Sequence, residues 1–267
     1  MYHRQDLWGE IHQQRLARFL AWIDKLKLPT DRQVLEVGCG AGLATVALAK
    51  RGYFVEAVDA AAPMIELARQ NAAEAGVGSR VNANLGDVYH LAFSDEAFGL
   101  VLSIGVIPWL QSPAQAITEL ARVLKPGGYL LLTADNRWRL ALLLDPVTSP
   151  FLAWTRQTLK KILGIASQPA PMANVVRSYQ HSLSEVDAFF AGAGLERVRT
   201  ETLGFGPFTF FYRKVLPEWL GVAVHRVLQR FVDMRCPVLR STGAQFLVLA
   251  RKRPQNARSG GLQENQA

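Results

Sequence analysis

Val34-Leu35-Glu36-Val37-Gly38-Cys39-Gly40-Ala41-Gly42 is a short apolar run that carries one acid and then runs into glycines at alternate positions. Behind it, Leu43-Ala44-Thr45-Val46-Ala47-Leu48-Ala49-Lys50 has the composition of a helix. The order is strand, tight turn, helix. Glycines let the backbone turn sharply and let a ligand approach it without a Cβ in the way. N–H groups exposed at the helix start favour a polar or anionic ligand group. A nucleotide-like cofactor is therefore expected across this turn.

The spacing argues against the dinucleotide fingerprint G-x-G-x-x-G, which needs its third glycine at position 43, where Leu43 stands. A nicotinamide- or flavin-binding strand is also usually apolar where this chain has Glu36. Val34–Gly42 instead resembles the glycine-rich motif of class I S-adenosylmethionine (SAM) methyltransferases, hydrophobic-hydrophobic-Glu-x-Gly-x-Gly-x-Gly. The resemblance implies a Rossmann-like fold with SAM as cofactor. It also implies that Gly38, Gly40 and Gly42 pass under the methionine part of SAM while Glu36 helps to hold its amino group.

Later positions extend the match. Asp59 ends a second apolar strand, Phe54-Val55-Glu56-Ala57-Val58-Asp59, 21 residues after Gly38. A carboxylate there can accept both hydroxyls of a ribose, the role the family gives this position, although an N-cap for the helix that follows is the competing reading. Met64 suits a place beside the adenine or in the core. Asp87, in Leu85-Gly86-Asp87-Val88, occupies the family position that receives the adenine amino group, with Val88 offering its backbone N–H; an ordinary turn Asp after glycine is the alternative. Ser103-Ile104-Gly105-Val106 ends the fourth strand, beside the transferable methyl group. Methyltransferases acting on base or amide nitrogens often carry Asn/Asp-Pro-Pro-Tyr/Phe here. Its absence points to oxygen, carbon, sulfur or other amine acceptors. His181 is the candidate general base, since a neutral imidazole takes a proton from an attacking hydroxyl, against the reading of a surface His beside a helix start. Tyr179 and Arg177 share its neighbourhood in sequence.

Alternating patterns predict strands near 33–37, 53–58, 80–84, 98–104 and 128–134, with helices near 4–28, 43–51, 62–75 and 113–124. Lys125-Pro126-Gly127-Gly128 reads as a turn. Ser182 to Glu185 fits a capping box that opens a helix to about Ala193, stopped by Gly194. Strands follow at 195–203 and 245–250. The expected fold is α/β, a Rossmann-like seven-stranded, mostly parallel sheet with helices on both faces. The expected organisation is an N-terminal helix over 1–29, a methyltransferase domain over 30–253 and a disordered tail over 254–267. Two segments fall outside the pattern, 136–180 and 205–243, and both mix large apolar side chains with Lys and Arg. They are expected to be helical insertions that form an acceptor pocket and lid.

The chain has 267 residues, 49% of them hydrophobic, and a net charge of +8. Residues 1–135 hold 12 Lys/Arg against 14 Asp/Glu, a balance of −2, whereas 136–267 hold 18 against 8, a balance of +10. The basic half suggests an anionic partner or a solvated basic face. Cys39 and Cys236 are too few for a disulfide framework or a Cys-rich metal site, so no metal is expected. No apolar run is long enough to cross a membrane, and Met1-Tyr2-His3-Arg4-Gln5-Asp6 does not open a signal peptide. These features suit a cytoplasmic protein, with peripheral contact at the inner face of a membrane left open. The expected activity is methyl transfer from SAM to a small lipophilic or amphipathic acceptor, most readily at oxygen. An RNA methyltransferase and a non-catalytic binding partner of the same fold are the rivals; no recognisable RNA-binding module is present, so nucleic acid is disfavoured as a partner.

Overall fold

The computed structural model describes residues 6–28, 32–146, 148–152, 178–211, 213–237 and 239–254. Strands β1 (Gln33–Val37), β2 (Phe54–Asp59), β3 (Val81–Leu85), β4 (Phe98–Ser103) and β5 (Leu124–Asn136) alternate with helices α2 (Leu43–Ala49), α3 (Ala62–Glu74) and α4 (Pro113–Val123). Further along come β6 (Gln180–His181), β7 (Leu195–Leu203) and β10 (Gln245–Lys252). The sheet order is β3-β2-β1-β4-β5-β10-β7, with β6 beside β5. The pairs β2/β3, β1/β2, β1/β4, β4/β5 and β5/β6 are parallel. The expected seven strands are therefore present, and the two-residue β6 is an addition. Every residue of β4 is buried, as expected where helices cover both faces of a parallel sheet. After β3 the chain crosses back to the far side of β1, so the switch in strand order falls between β1 and β4.

The contacts divide the chain into two compact units. One comprises Lys25–Leu132, Ser184–Arg199 and Val248–Ala267 and contains β1 to β4 with their helices, together with most of α6 (Leu183–Gly192). Its core is aliphatic, with Leu35, Leu48, Leu100, Leu102, Ile117 and Leu120 fully buried. The other comprises Met1–Asp24, Thr133–Leu183 and Thr200–Leu247. It contains α1 (Leu7–Ile23), α5 (Leu140–Leu144), a hairpin of β8 (Thr209–Phe210) and β9 (Arg213–Lys214), and α7 (Glu218–Asp233). Here ion pairs join α1 to α7, Arg18 to Asp233 at 2.8 Å and Glu10 to Arg226 at 3.0 Å, and Arg18 also pairs with Glu201 of β7 at 2.6 Å.

Three expectations need correction. The first helix spans Leu7–Ile23 rather than 4–28: Asp6 caps its start by accepting the Gly9 N–H at 2.8 Å, and the chain passes from one unit to the other just after Asp24. Lys125-Pro126-Gly127-Gly128 is no separate turn but a bulge inside β5. Phe98 pairs with Leu124 and Leu100 with Tyr129, so these residues bulge opposite Gly99. Lys252 and Arg251 pin the bulge by donating to the carbonyls of Leu124 (2.7 Å) and Gly127 (3.1 Å). The segment 205–243 is not wholly helical, because the β8–β9 hairpin precedes α7. Of the segment 136–180, residues 153–177 lie outside the described residues, as does the tail over 255–267.

The second unit has an unusually polar core. His225 of α7 is fully buried, and its Nδ1 accepts the Phe205 N–H at 3.1 Å, which leaves the proton of the neutral ring on Nε2. Burial drives its pKa down to about 4; the Glu10 carboxylate opposes this, and the charges of Arg226 and Arg18 add to it. An unfolded imidazole titrates near 6.5. Between the two values the unfolded chain binds the extra proton, so stability falls as pH drops through this window and is regained above it. Urea unfolding at either end of the window should show wild type losing about 3 kcal/mol more on acidification than His225→Asn, which keeps an acceptor but cannot titrate.

Candidate functional site

In open α/β sheets ligands bind outside the carboxyl ends of the strands at the switch in strand order. Here that place is the turn after β1, beside the end of β4. The Gly38 and Cys39 N–H groups both donate to the Val58 carbonyl, at 2.7 and 3.1 Å, which ties the turn to β2. Gly42 caps α2 against Ala68, and the Asn71 side chain of α3 donates to the Ala41 carbonyl at 2.8 Å. Two glycines differ in what surrounds them. Gly38 has φ +74°, and a Cβ there would lie 2.1 Å from Val106 Cγ2. Gly40 has φ +52°, and a Cβ would meet nothing within 4 Å. The first glycine is required by packing, and the second faces open space.

Glu36 is buried in β1, and the Thr45 hydroxyl of α2 donates to its Oε2 at 2.5 Å. Burial raises its pKa to about 7 against the lowering effect of the Thr45 hydrogen bonds, and the charge of Asp59 adds to the rise. Asp59, half-buried at the end of β2, accepts the Gly40 N–H at 2.8 Å through Oδ2 and the Ala61 N–H at 2.9 Å through Oδ1. It is not the cap of α3, a position held by Ala61. Two further lone pairs of the carboxylate remain for other donors. Cys39 sits buried in the turn with its thiol pushed up to about 12, chiefly by burial, and so is inert packing at neutral pH.

Met64 is half-buried in the first turn of α3. Asp87 is exposed beyond β3, with Oδ1 accepting the Tyr89 N–H at 3.0 Å, and Val88 next to it is buried. Ser103 ends β4 fully buried, and among the described residues its hydroxyl has no hydrogen-bond partner. All nine of these predicted positions, from Glu36 to Ser103, fall in one unit, and all but Met64, which is in the first turn of α3, lie on the carboxyl ends of neighbouring strands or in the turns that follow them.

His181 belongs to the other unit. It is buried in β6 opposite Asn136, so it is not the surface histidine that was its competing reading. Its carbonyl accepts the Arg137 N–H at 3.1 Å. Asn136 braces that neighbourhood, donating to the carbonyls of Ser241 (2.7 Å) and Gly243 (2.8 Å) and accepting the Trp138 N–H (2.9 Å). Tyr179 is exposed, and Arg177 lies outside the described residues.

Sequence reasoning overlooked Thr45, Asn71 and Asp135. Thr45 is the one polar side chain in an otherwise aliphatic helix, which is a usable signal. Asp135 stands at the carboxyl end of β5, the same kind of position that singled out Asp59. Burial raises its pKa against the opposing hydrogen bond from Gln245, at 3.1 Å.

A family profile described as a methyltransferase domain matches residues 35–132. The demethylmenaquinone methyltransferase of Lactiplantibacillus plantarum is 30% identical over 189 residues, 68% of this chain and 78% of that protein. The ubiquinone biosynthesis O-methyltransferase of Paracidovorax citrulli is 31% identical over 133 residues, 50% of this chain and 56% of that one. The fold is shared with the magnesium protoporphyrin IX methyltransferase of Synechocystis, solved with bound S-adenosylhomocysteine, at TM-score 0.59 and 19% identity over 91% of this chain and 84% of that one. Glycine turn, strand order and sequence relationship agree: the chain belongs to the class I SAM-dependent methyltransferases of the small-molecule type, and SAM is its cofactor.

Proposed function

We propose that this chain methylates a hydroxyl oxygen of a small lipophilic or amphipathic acceptor. The observation that carries the reading is the character of the chain beyond residue 132, where the family match ends. Trp138, Leu144 and Phe151 are large apolar side chains left exposed there, and Phe210, Phe211 and Trp219 repeat this in the second segment outside the pattern. We assign the acceptor pocket and lid to these two segments. The names of the two quinone-pathway relatives support an acceptor of this kind. Ser103-Ile104-Gly105-Val106 lacks the Asn/Asp-Pro-Pro-Tyr/Phe signature of base and amide nitrogen transfer, and among the acceptors this leaves we choose oxygen, the atom that the name of the ubiquinone-pathway relative gives for that protein.

The residues present fit the cofactor. SAM offers an ammonium, a ribose diol and an adenine amino group, all hydrogen-bond donors, and the strand ends offer the carboxylates of Glu36, Asp59 and Asp87. The open space over Gly40 and the unpartnered hydroxyl of Ser103 suit a ligand across the turn. In this assignment Glu36 holds the amino group, Asp59 the diol, Asp87 and the Val88 N–H the adenine edge, and Met64 flanks its face. When bound, SAM supplies a methyl group already activated by its sulfonium. Orientation of the acceptor then accounts for roughly 7–11 kcal/mol of the barrier without any covalent help from the protein. His181 receives the proton of the acceptor hydroxyl.

Four measurements test these assignments. With labelled SAM and a panel of lipophilic phenols, hydroxy acids and structured RNA, label should enter the lipophilic hydroxyl compounds; incorporation into RNA alone would overturn the reading. His181→Ala should lower kcat by about 10²- to 10⁴-fold and leave S-adenosylhomocysteine affinity unchanged. Gly38→Ala should unfold at markedly lower urea, whereas Gly40→Ala should fold, at a backbone cost of about 1–2 kcal/mol, and lose S-adenosylhomocysteine binding. Affinity for that ligand in the wild type should rise with pH through about 7 as Glu36 ionises, and Glu36→Gln should bind more weakly with a flat profile.

A further inference from the structure

We propose that the β8–β9 hairpin and the adjoining outward stripe of α7 form a surface that docks on anionic lipid bilayers. The hairpin alternates as a strand must. Thr209 points inward, its hydroxyl donating to the buried Asp145 carboxylate at 2.6 Å, while Phe210 points out. Phe210 and Phe211 are 52% and 58% exposed, with their rings edge to face at 4.8 Å. Phe211 stands in the turn at φ +52°. Tight hairpin turns place Asn, Asp or Gly at such positions, because a bulky side chain is strained there. Two adjacent aromatics held in solvent, one of them in a conformation its residue type disfavours, are unexplained by folding.

The Lys214–Glu218 ion pair, at 3.1 Å, fastens β9 to the first turn of α7. Trp219 follows and is 72% exposed. Eleven residues on, at nearly the same angle round the helix, lies Arg230. Arg213, Arg230 and Arg235 are exposed and make no ion pair among the described residues. Aromatic side chains beside unpaired arginines match the headgroup layer of an anionic bilayer, where rings enter the acyl boundary and cations meet phosphate. A second copy of the chain would bring these arginines against each other, which repels. Charged side chains are depleted from the cores of protein interfaces, so a protein partner fits less well.

The proposal draws its purpose from the lipophilic-acceptor reading, but its test is separate. The full chain is sedimented with vesicles of phosphatidylcholine alone or containing about one third phosphatidylglycerol. Wild type should bind the anionic vesicles, less so as salt is raised. Phe211→Asn with Trp219→Ser should lower the partition coefficient about tenfold or more. Phe211→Asn alone should melt no lower than wild type, since Asn tolerates the left-handed region, so lost binding cannot be lost folding. Arg230→Gln should weaken anionic binding about fivefold. Failure of wild type to bind at low salt, or unchanged binding by these variants, overturns the proposal. So does a wild-type dimer in light scattering that Phe211→Asn dissociates. Vesicle binding without transfer to any lipophilic acceptor would keep the docking surface and remove the acceptor reading; transfer without vesicle binding would do the reverse.

Discussion

The carboxylate of Asp59 accepts the N–H of Gly40 at 2.8 Å and of Ala61 at 2.9 Å, and so joins the turn after β1 to the turn after β2. The backbone adds the Gly38 and Cys39 bonds to Val58, and the Gly86 N–H donates to the Asp59 carbonyl at 3.0 Å, bringing in the turn after β3. Three consecutive strand ends are thereby held by one residue and its neighbour. Remove the carboxylate, and two backbone N–H groups lose their acceptor while Gly40 loses its tie to β2. The carboxylate is thus a brace whose geometry is set by donors of the chain itself.

Burial sets the state of Glu36, and the same carboxylate adds to it. Burial makes ionisation costly, the Thr45 hydroxyl offsets part of that cost, and the charge of Asp59 adds to it. The protein thus keeps a carboxyl poised near neutrality beneath a glycine turn. A cation placed there would offset both the burial and the repulsion and restore the ordinary preference for the carboxylate.

The parallel half of the molecule was legible because its signals are local. β1 and its glycine turn, the acid ending β2 and the apolar β4 each declare themselves within a dozen residues, and the strand alternation supplies the topology. What could not be read depends on distant partners. The bulge in β5 exists because Lys252 and Arg251, more than a hundred residues later, bind its carbonyls. Asn136 owes its burial to the carbonyls of Ser241 and Gly243. His181 reads as a helix-flanking residue until β6 pairs with β5 and covers it. The Thr45 partnership of Glu36 lay between these cases, being close in sequence yet visible only once strand and helix are packed.

The two units also solve burial differently. The first relies on aliphatic side chains in a regular parallel pattern, which tolerates little change in spacing. The second joins remote segments by polar contacts: the Leu7 N–H to Glu218 at 2.9 Å, Arg18 to Glu201 and Asp233, and Gln229 to the Thr202 carbonyl at 3.2 Å. Such contacts are directional and fix particular helices in place around the buried Ile11, Phe19, Ile23 and Phe205. Not every large apolar side chain of that unit is drawn inside, and Phe210, Phe211 and Trp219 stand in solvent. Helices fixed by direction as well as by apolar area leave room for aromatics at the surface, so the carboxylate-bearing strand ends of the first unit and the aromatic surface of the second are built from different kinds of residue.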